Sequence, residues 1–173
     1  MQSDGAVGRR PTLSLNEWAV LGVIVDSPRH GYDIANELAG STPTGDVWRV
    51  SRPATYRALD RLEALGLARS THTEPGKSAP PRTVYAPTTK GVGALSAWLE
   101  TPVPHLRDVR SALLLKLVLI DLLGGNRRRL VDAQRTAFEQ QLDALLPVPA
   151  GDDPARMWRH HSAVAVAAFL DDL

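Results

Sequence analysis

The sequence predicts a mainly α-helical protein with one small β-hairpin, and three observations carry that prediction. Residues 50–67 read as a helix with two unlike faces. Thr55, Leu59 and Leu62 recur at helical spacing with Ala58 and Leu65 beside them, while Arg52, Tyr56, Arg57, Asp60 and Arg61 lie opposite. Residues 67–74 and 82–86 have strand character and are joined by Pro75-Gly76-Lys77-Ser78-Ala79-Pro80-Pro81, so a hairpin follows that helix directly. The flanking segments are apolar at helical period and are punctuated by Ser, Pro and Gly where helices start and stop. A basic helix followed at once by a hairpin with a basic tip is the pattern of a winged helix-turn-helix.

Taken in order, residues 1–12 read as a flexible leader carrying Arg9 and Arg10. Ser14-Leu15-Asn16-Glu17 has capping-box spacing and opens an apolar helix through Trp18, Leu21, Ile24 and Val25 that ends at Asp26-Ser27-Pro28. A second helix runs from Gly31 to Gly40 with Ile34, Ala35 and Leu38 inward, and residues 41–46 form a loop. The basic helix starts with Ser51 as N-cap and Pro53 in its first turn, where the missing N–H costs little, and Gly66 closes it. After the hairpin, a helix beginning at Thr88 or Thr89 buries Val92, Leu95 and Leu99 and ends at Glu100-Thr101-Pro102.

Pro102-Val103-Pro104 is a stiff linker and the expected boundary between a winged-helix domain at 13–101 and a helical dimerisation domain at 105–173. The second domain holds a helix at 109–123, a break at Gly124-Gly125 and a longer helix at 127–146. Leu130, Gln134, Phe138, Leu142 and Leu145 form a stripe on that longer helix. A last helix starts at Asp153 or Pro154 and runs to Leu170, containing Trp158, Val164 and Phe169. That stripe, together with an almost wholly apolar 109–123, exceeds what three helices bury alone and predicts a homodimer.

Composition narrows the function. The absence of cysteine excludes disulfides and thiolate metal sites, and agrees with a reducing, cytoplasmic setting. No apolar run has the length of a membrane span, since the longest, 112–120, is interrupted by Lys116; nor does the amino terminus read as a signal peptide. The net charge is +1 but unevenly placed. Eight basic and three acidic residues between Arg49 and Lys90 give that span +5, and the remainder is −4. A basic patch on an otherwise acidic chain is an electrostatic footprint for nucleic acid. The five histidines do not sit at metal-ligand spacing, and neither a glycine-rich phosphate loop nor a nucleophile elbow is present. The expectation is a protein that is not an enzyme, with no metal and no cofactor.

Several motifs resemble the PadR-type transcriptional regulators in order and spacing. They are His30-Gly31-Tyr32-Asp33-Ile34, Thr55-Tyr56-Arg57-Ala58-Leu59 with Arg61-Leu62-Glu63, Gly66-Leu67, Val84-Tyr85, Thr88-Thr89-Lys90-Gly91, Ala97-Trp98-Leu99 and Leu113-Leu114-Leu115-Lys116-Leu117. The resemblance implies a winged-helix repressor that dimerises through its carboxy-terminal helices and binds a palindromic double-stranded operator. It also implies release by a small aromatic or lipophilic effector, as in some relatives. Arg52-Pro53-Ala54 departs from the family, which more often has a glycine and small polar residues there, and this bears on which base edges are read. The expected DNA-binding residues are Arg52, Thr55, Tyr56, Arg57 and Arg61 on the helix, with Lys77 and Arg82 on the hairpin. Trp98 is the candidate ligand-binding residue, because the resemblance puts it near the junction with the terminal helices. The alternative is a winged-helix module that binds other proteins and not DNA, for which apolar residues would be expected at Arg52, Tyr56, Arg57 and Lys77.

Overall fold

The computed structural model describes residues 12–74, 82–148 and 151–173. The leader with Arg9 and Arg10, and the hairpin tip with Lys77, lie outside the described residues. Among them the chain forms helices α1 (Leu15–Asp26), α2 (Gly31–Ala39), α3 (Pro43–Val47) and α4 (Arg52–Ala64) before the hairpin. Helices α5 (Thr89–Glu100), α6 (Leu114–Leu122), α7 (Arg128–Leu145) and α8 (Pro154–Asp171) follow it. Strands β1 (Arg29–His30), β2 (Ala68–Glu74) and β3 (Arg82–Pro87) make an antiparallel sheet in the order β1-β3-β2.

Helix α1 is the centre of the molecule. Ser14 and Glu17 form the expected reciprocal capping box, and every residue from Glu17 to Ile24 is buried. A helix that is apolar on all sides can only be stable when surrounded, and α2, α4, α5 and α6 pack around this one. Helix α6 comes so close that a Cβ on Gly22 would lie 2.6 Å from Leu119 Cδ2. One hydrophobic core therefore runs across the Pro102-Val103-Pro104 segment. Val103 itself is buried, and its N–H and C=O are both bonded to the Gln134 side chain at 2.7 and 3.0 Å. This corrects the reasoning that led to a dimer. The apolar surface of α6 is covered within the chain, where Leu113, Leu115, Leu117 and Leu119 are buried.

Other expectations shift in detail. Residues 41–46 are not all loop, because Thr42 caps the Gly45 N–H at 3.0 Å and starts the short helix α3. The two-residue strand β1 adds a third strand, with Arg29 opposite Tyr85 and His30 opposite Val84. Val92 is exposed, whereas Leu95 and Leu99 are buried as expected. A 3-10 turn at Leu106–Asp108 precedes the 109–123 segment, which begins with a π-helical turn at Val109–Leu113 before α6 proper. Ser51 occupies the N-cap position of α4, but its side chain makes no capping hydrogen bond.

Candidate nucleic-acid interface and the neighbouring cavity

Helix α4 is held in place from both ends and from behind. Its buried face is Thr55, Ala58, Leu59 and Leu62, packed on α1 and α2. At its carboxy terminus Gly66 takes φ +66, and the N–H groups of Gly66 and Leu67 bond the carbonyls of Glu63 and Leu62 at 2.8 Å each. That is the Schellman arrangement, which only glycine enters without strain. The remaining carbonyls are met from the start of α5: Lys90 Nζ donates to Leu65 O at 2.8 Å and Thr88 Oγ1 to Gly66 O at 2.8 Å. The start of α5 is itself pressed against the chain entering β2, since a Cβ on Gly91 would sit 2.0 Å from the Leu67 carbonyl oxygen. The hairpin is tied on by the Ser70 N–H, which donates to Glu63 Oε1 at 2.6 Å.

Successive residues turn by about 100°, so Pro53, Arg57 and Asp60 point most directly away from the buried face. Arg52 and Tyr56 form the flank toward α2, and Arg61 forms the flank toward α1. Arg57 is exposed and has no ion-pair partner among the described residues. Tyr56 is partly exposed, its ring edge lying over Gly31, where a Cβ would come within 2.9 Å of Tyr56 Cε1. Arg61 Nε forms an ion pair with Glu17 Oε1 at 3.1 Å, so its charge is partly engaged by α1. Arg52 donates to Asn36 Oδ1 at 3.2 Å, and its guanidinium lies 4.8 Å from the centroid of the Tyr32 ring.

Thr55 is a correction. It is 0% exposed and its hydroxyl donates to Ser51 O at 3.2 Å, so its side chain belongs to the core and does not face a groove. Its place on the buried stripe was already visible in the helical spacing. Arg82 lies in β3 opposite Glu74, Arg69 is exposed on β2, and Lys77 is outside the described residues. Sequence reasoning passed over Tyr32 and Asn36 because they belong to α2, an element judged only by its inward residues.

Trp98 is half-buried and not alone. Its ring stacks on Trp18 with centroids 4.7 Å apart and planes 9° from parallel. Lys116 Nζ sits 4.5 Å from the Trp98 centroid, donates to Trp98 O at 2.6 Å and also bonds Thr101 O. Only 2% of Lys116 is exposed, and burial lowers its pKa from 10.5 to about 8. Trp18 and Trp98 line a cavity of about 470 Å³ with Leu13, Leu67, Ala94 and Ala97, and the Lys90 side chain is also in its wall. The lysine that interrupts an apolar run thus closes the end of α5, a role no spacing rule announces.

The three arginines that open α7 are engaged within the chain. Arg127 makes a forked pair with Asp121 at 2.6 Å, Arg129 reaches Glu100 at 3.2 Å and Arg128 lies 3.8 Å from Asp132. On α8, His160 is buried with Nδ1 3.1 Å from Leu145 O, and Trp158 is 74% exposed. Among the described residues no group of three His, Cys, Asp or Glu side chains could hold a metal ion, and no helix is long and apolar enough to cross a membrane.

Residues 20–97, from α1 through the hairpin to α5, match the model of the Transcriptional regulator PadR-like family. Residues 20–97 are a PadR-like domain. The family is one of transcriptional regulators, not of enzymes. Outside that stretch the likeness is one of fold alone. The Bacillus subtilis PadR structure, solved in complex with operator DNA, is 19% identical and covers 92% of this chain and 96% of its own, with a TM-score of 0.50. A PadR-like transcription factor from Bacteroides fragilis is 23% identical over 47% of this chain and 73% of its own, with a TM-score of 0.40. The smu.1604c protein of Streptococcus mutans UA159 is 15% identical over 90% of this chain and 96% of its own, with a TM-score of 0.46. No curated protein matches the chain.

Proposed function

We propose that this protein is a dimeric DNA-binding transcriptional repressor whose α4 enters the major groove. One observation carries the reading: the outward face of a rigidly anchored α4 presents Arg57, flanked by Arg52 and Tyr56, with the hairpin alongside. A guanidinium at that position suits the bidentate edge of guanine. Arg69, Arg82 and Lys77 on the hairpin suit the phosphate backbone. The Bacillus subtilis relative was solved with operator DNA, which supports the same use of this fold. A protein-binding module would call for apolar residues on that face, and this one is charged.

Dimerisation rests on α8. The helix packs on α7 through His160, Ala163, Val166 and Leu170, leaving Trp158 and Val164 on its outer side. A tryptophan left in water is a costly surface, and a second α8 would cover it. Effector release rests on the cavity. Lys90 both lines it and holds Leu65 O at the end of α4, so a compound that displaces the Lys90 side chain loosens the seat of the reading helix. A ligand acts only through its different affinity for the two arrangements.

Footprinting on the DNA flanking its own gene, with light scattering of the full-length protein at low micromolar concentration, tests the proposal. Two protected half-sites about one helical turn apart and twice the 18.8 kDa chain mass are expected. A monomer that protects no DNA would refute it.

A further inference from the structure

The pairing of Tyr32 with Arg52 is not explained by the packing of either helix. Tyr32 is the second residue of α2 and Arg52 the first of α4, so the pair bridges the amino-terminal ends of the two helices. Tyr32 is 50% exposed, although aromatic rings of its size are normally drawn inward. Its hydroxyl has its pKa lowered, first by the hydrogen bond with Asn36 and then by Arg52, so the phenol is a stronger donor than usual. Arg52 donates one N–H to Asn36 Oδ1 at 3.2 Å, and its guanidinium carbon lies over the Tyr32 ring, 4.8 Å from the centroid. Among the described residues Arg52 has no carboxylate partner, and the residue is exposed. The cation–π contact and the Asn36 bond hold the guanidinium in place before anything binds, which reduces the ordering cost of using it.

We propose that Tyr32 and Arg52 together hold one phosphate of the DNA backbone, with Asn36 orienting both side chains. Arg52 is then a positioning contact that carries no sequence information, while Arg57 on the outermost line of α4 reads a base. Cation and phenol offer donors from two different helices to the same oxygens, so the clamp fixes how α2 and α4 together sit on the duplex. It also accounts for arginine at a position where a lysine would supply equal charge: only a planar guanidinium can stack on the ring and still present a fork. This inference rests on the DNA-binding reading of α4.

The test uses the full-length protein and two fluorescein-labelled duplexes, a 30-bp mixed-sequence DNA and the best duplex from in vitro selection with the wild type. Tyr32→Phe, which removes only the hydroxyl, should weaken binding to both by the same factor, about fivefold or more. Arg52→Lys should do likewise despite its retained charge, and Arg52→Ala should also shallow the salt dependence by about one counterion. Adding Tyr32→Phe to Arg52→Ala should cost much less than Tyr32→Phe alone, because the two act on one phosphate. Thermal melting by circular dichroism checks that each variant is folded. Wild-type affinity for both duplexes in Tyr32→Phe would overturn the clamp. So would a loss confined to the selected duplex, which would make the pair a base reader. If the wild type binds neither duplex, the DNA-binding reading itself has failed, a result distinct from either of these.

Discussion

Replacing Lys116 by Met separates the charge of this buried lysine from its length and packing. The native state holds an ammonium that is 2% exposed, over the Trp98 ring and against the Trp98 and Thr101 carbonyls. Burial lowers its pKa from 10.5 to about 8, which corresponds to about 3 kcal/mol of preference for the neutral amine. Because the measurement ends at pH 10, short of the unfolded pKa, it reads about 1–3 kcal/mol of that preference. Because the folded pKa lies below the unfolded one, the unfolded chain binds more protons between pH 8 and 10.5, and stability rises with pH across that window. Below pH 8 both states are protonated and this contribution is flat. Urea denaturation followed by tryptophan fluorescence at pH 7, 8, 9 and 10 reads the effect as the wild-type minus Lys116→Met difference, in which shared titrations cancel. The difference should move in favour of the wild type by about 1–3 kcal/mol from pH 8 upward. A difference that stays level from pH 7 to 10 would show that Lys116 is not a buried cation, and the account of how α5 is closed would fall with it.

Four other outcomes are expected. If a dimer neutralises about eight phosphates, log K should fall against log[salt] with a slope of roughly −7. Arg57→Ala should cost about 1–3 kcal/mol of selective binding, while Lys77→Ala should weaken all duplexes alike; anisotropy titrations at several salt concentrations read both. Trp98→Ala removes the ring stacked on Trp18 and should destabilise the fold by about 2–4 kcal/mol, whereas Trp98→Phe keeps most of that stability and blunts quenching by planar aromatic compounds. Gly91→Ala drives a Cβ into the Leu67 carbonyl and should cost 3 kcal/mol or more, roughly, whereas Gly93→Ala on the same helix meets nothing within 4 Å and should stabilise slightly. Thermal melts of the two glycine variants make the comparison, and equal melting temperatures would contradict the close approach of α5 to β2.

Much of this protein was determined by local sequence. The capping box at Ser14 and Glu17, the glycine stops at Gly40 and Gly66, and the two-faced pattern of α4 are set by residues within a turn or two of one another. The same pattern put Arg57 outward and Thr55 inward, and the tertiary structure decided in favour of the pattern where the expected site had included Thr55. Long-range packing decided the rest. Gly22 receives Leu119 from a helix nearly a hundred residues away, so α6 is covered within the chain and not by a partner. Trp18 and Trp98 meet face to face, Lys116 finds two carbonyls at the end of α5, and Tyr32 finds Arg52 across two helix ends. Helical spacing fixes which side of an element a residue lies on, because backbone hydrogen bonds set that periodicity locally. Which element that side will face is fixed only when burial of apolar surface brings distant segments together, and that is a property of the whole chain.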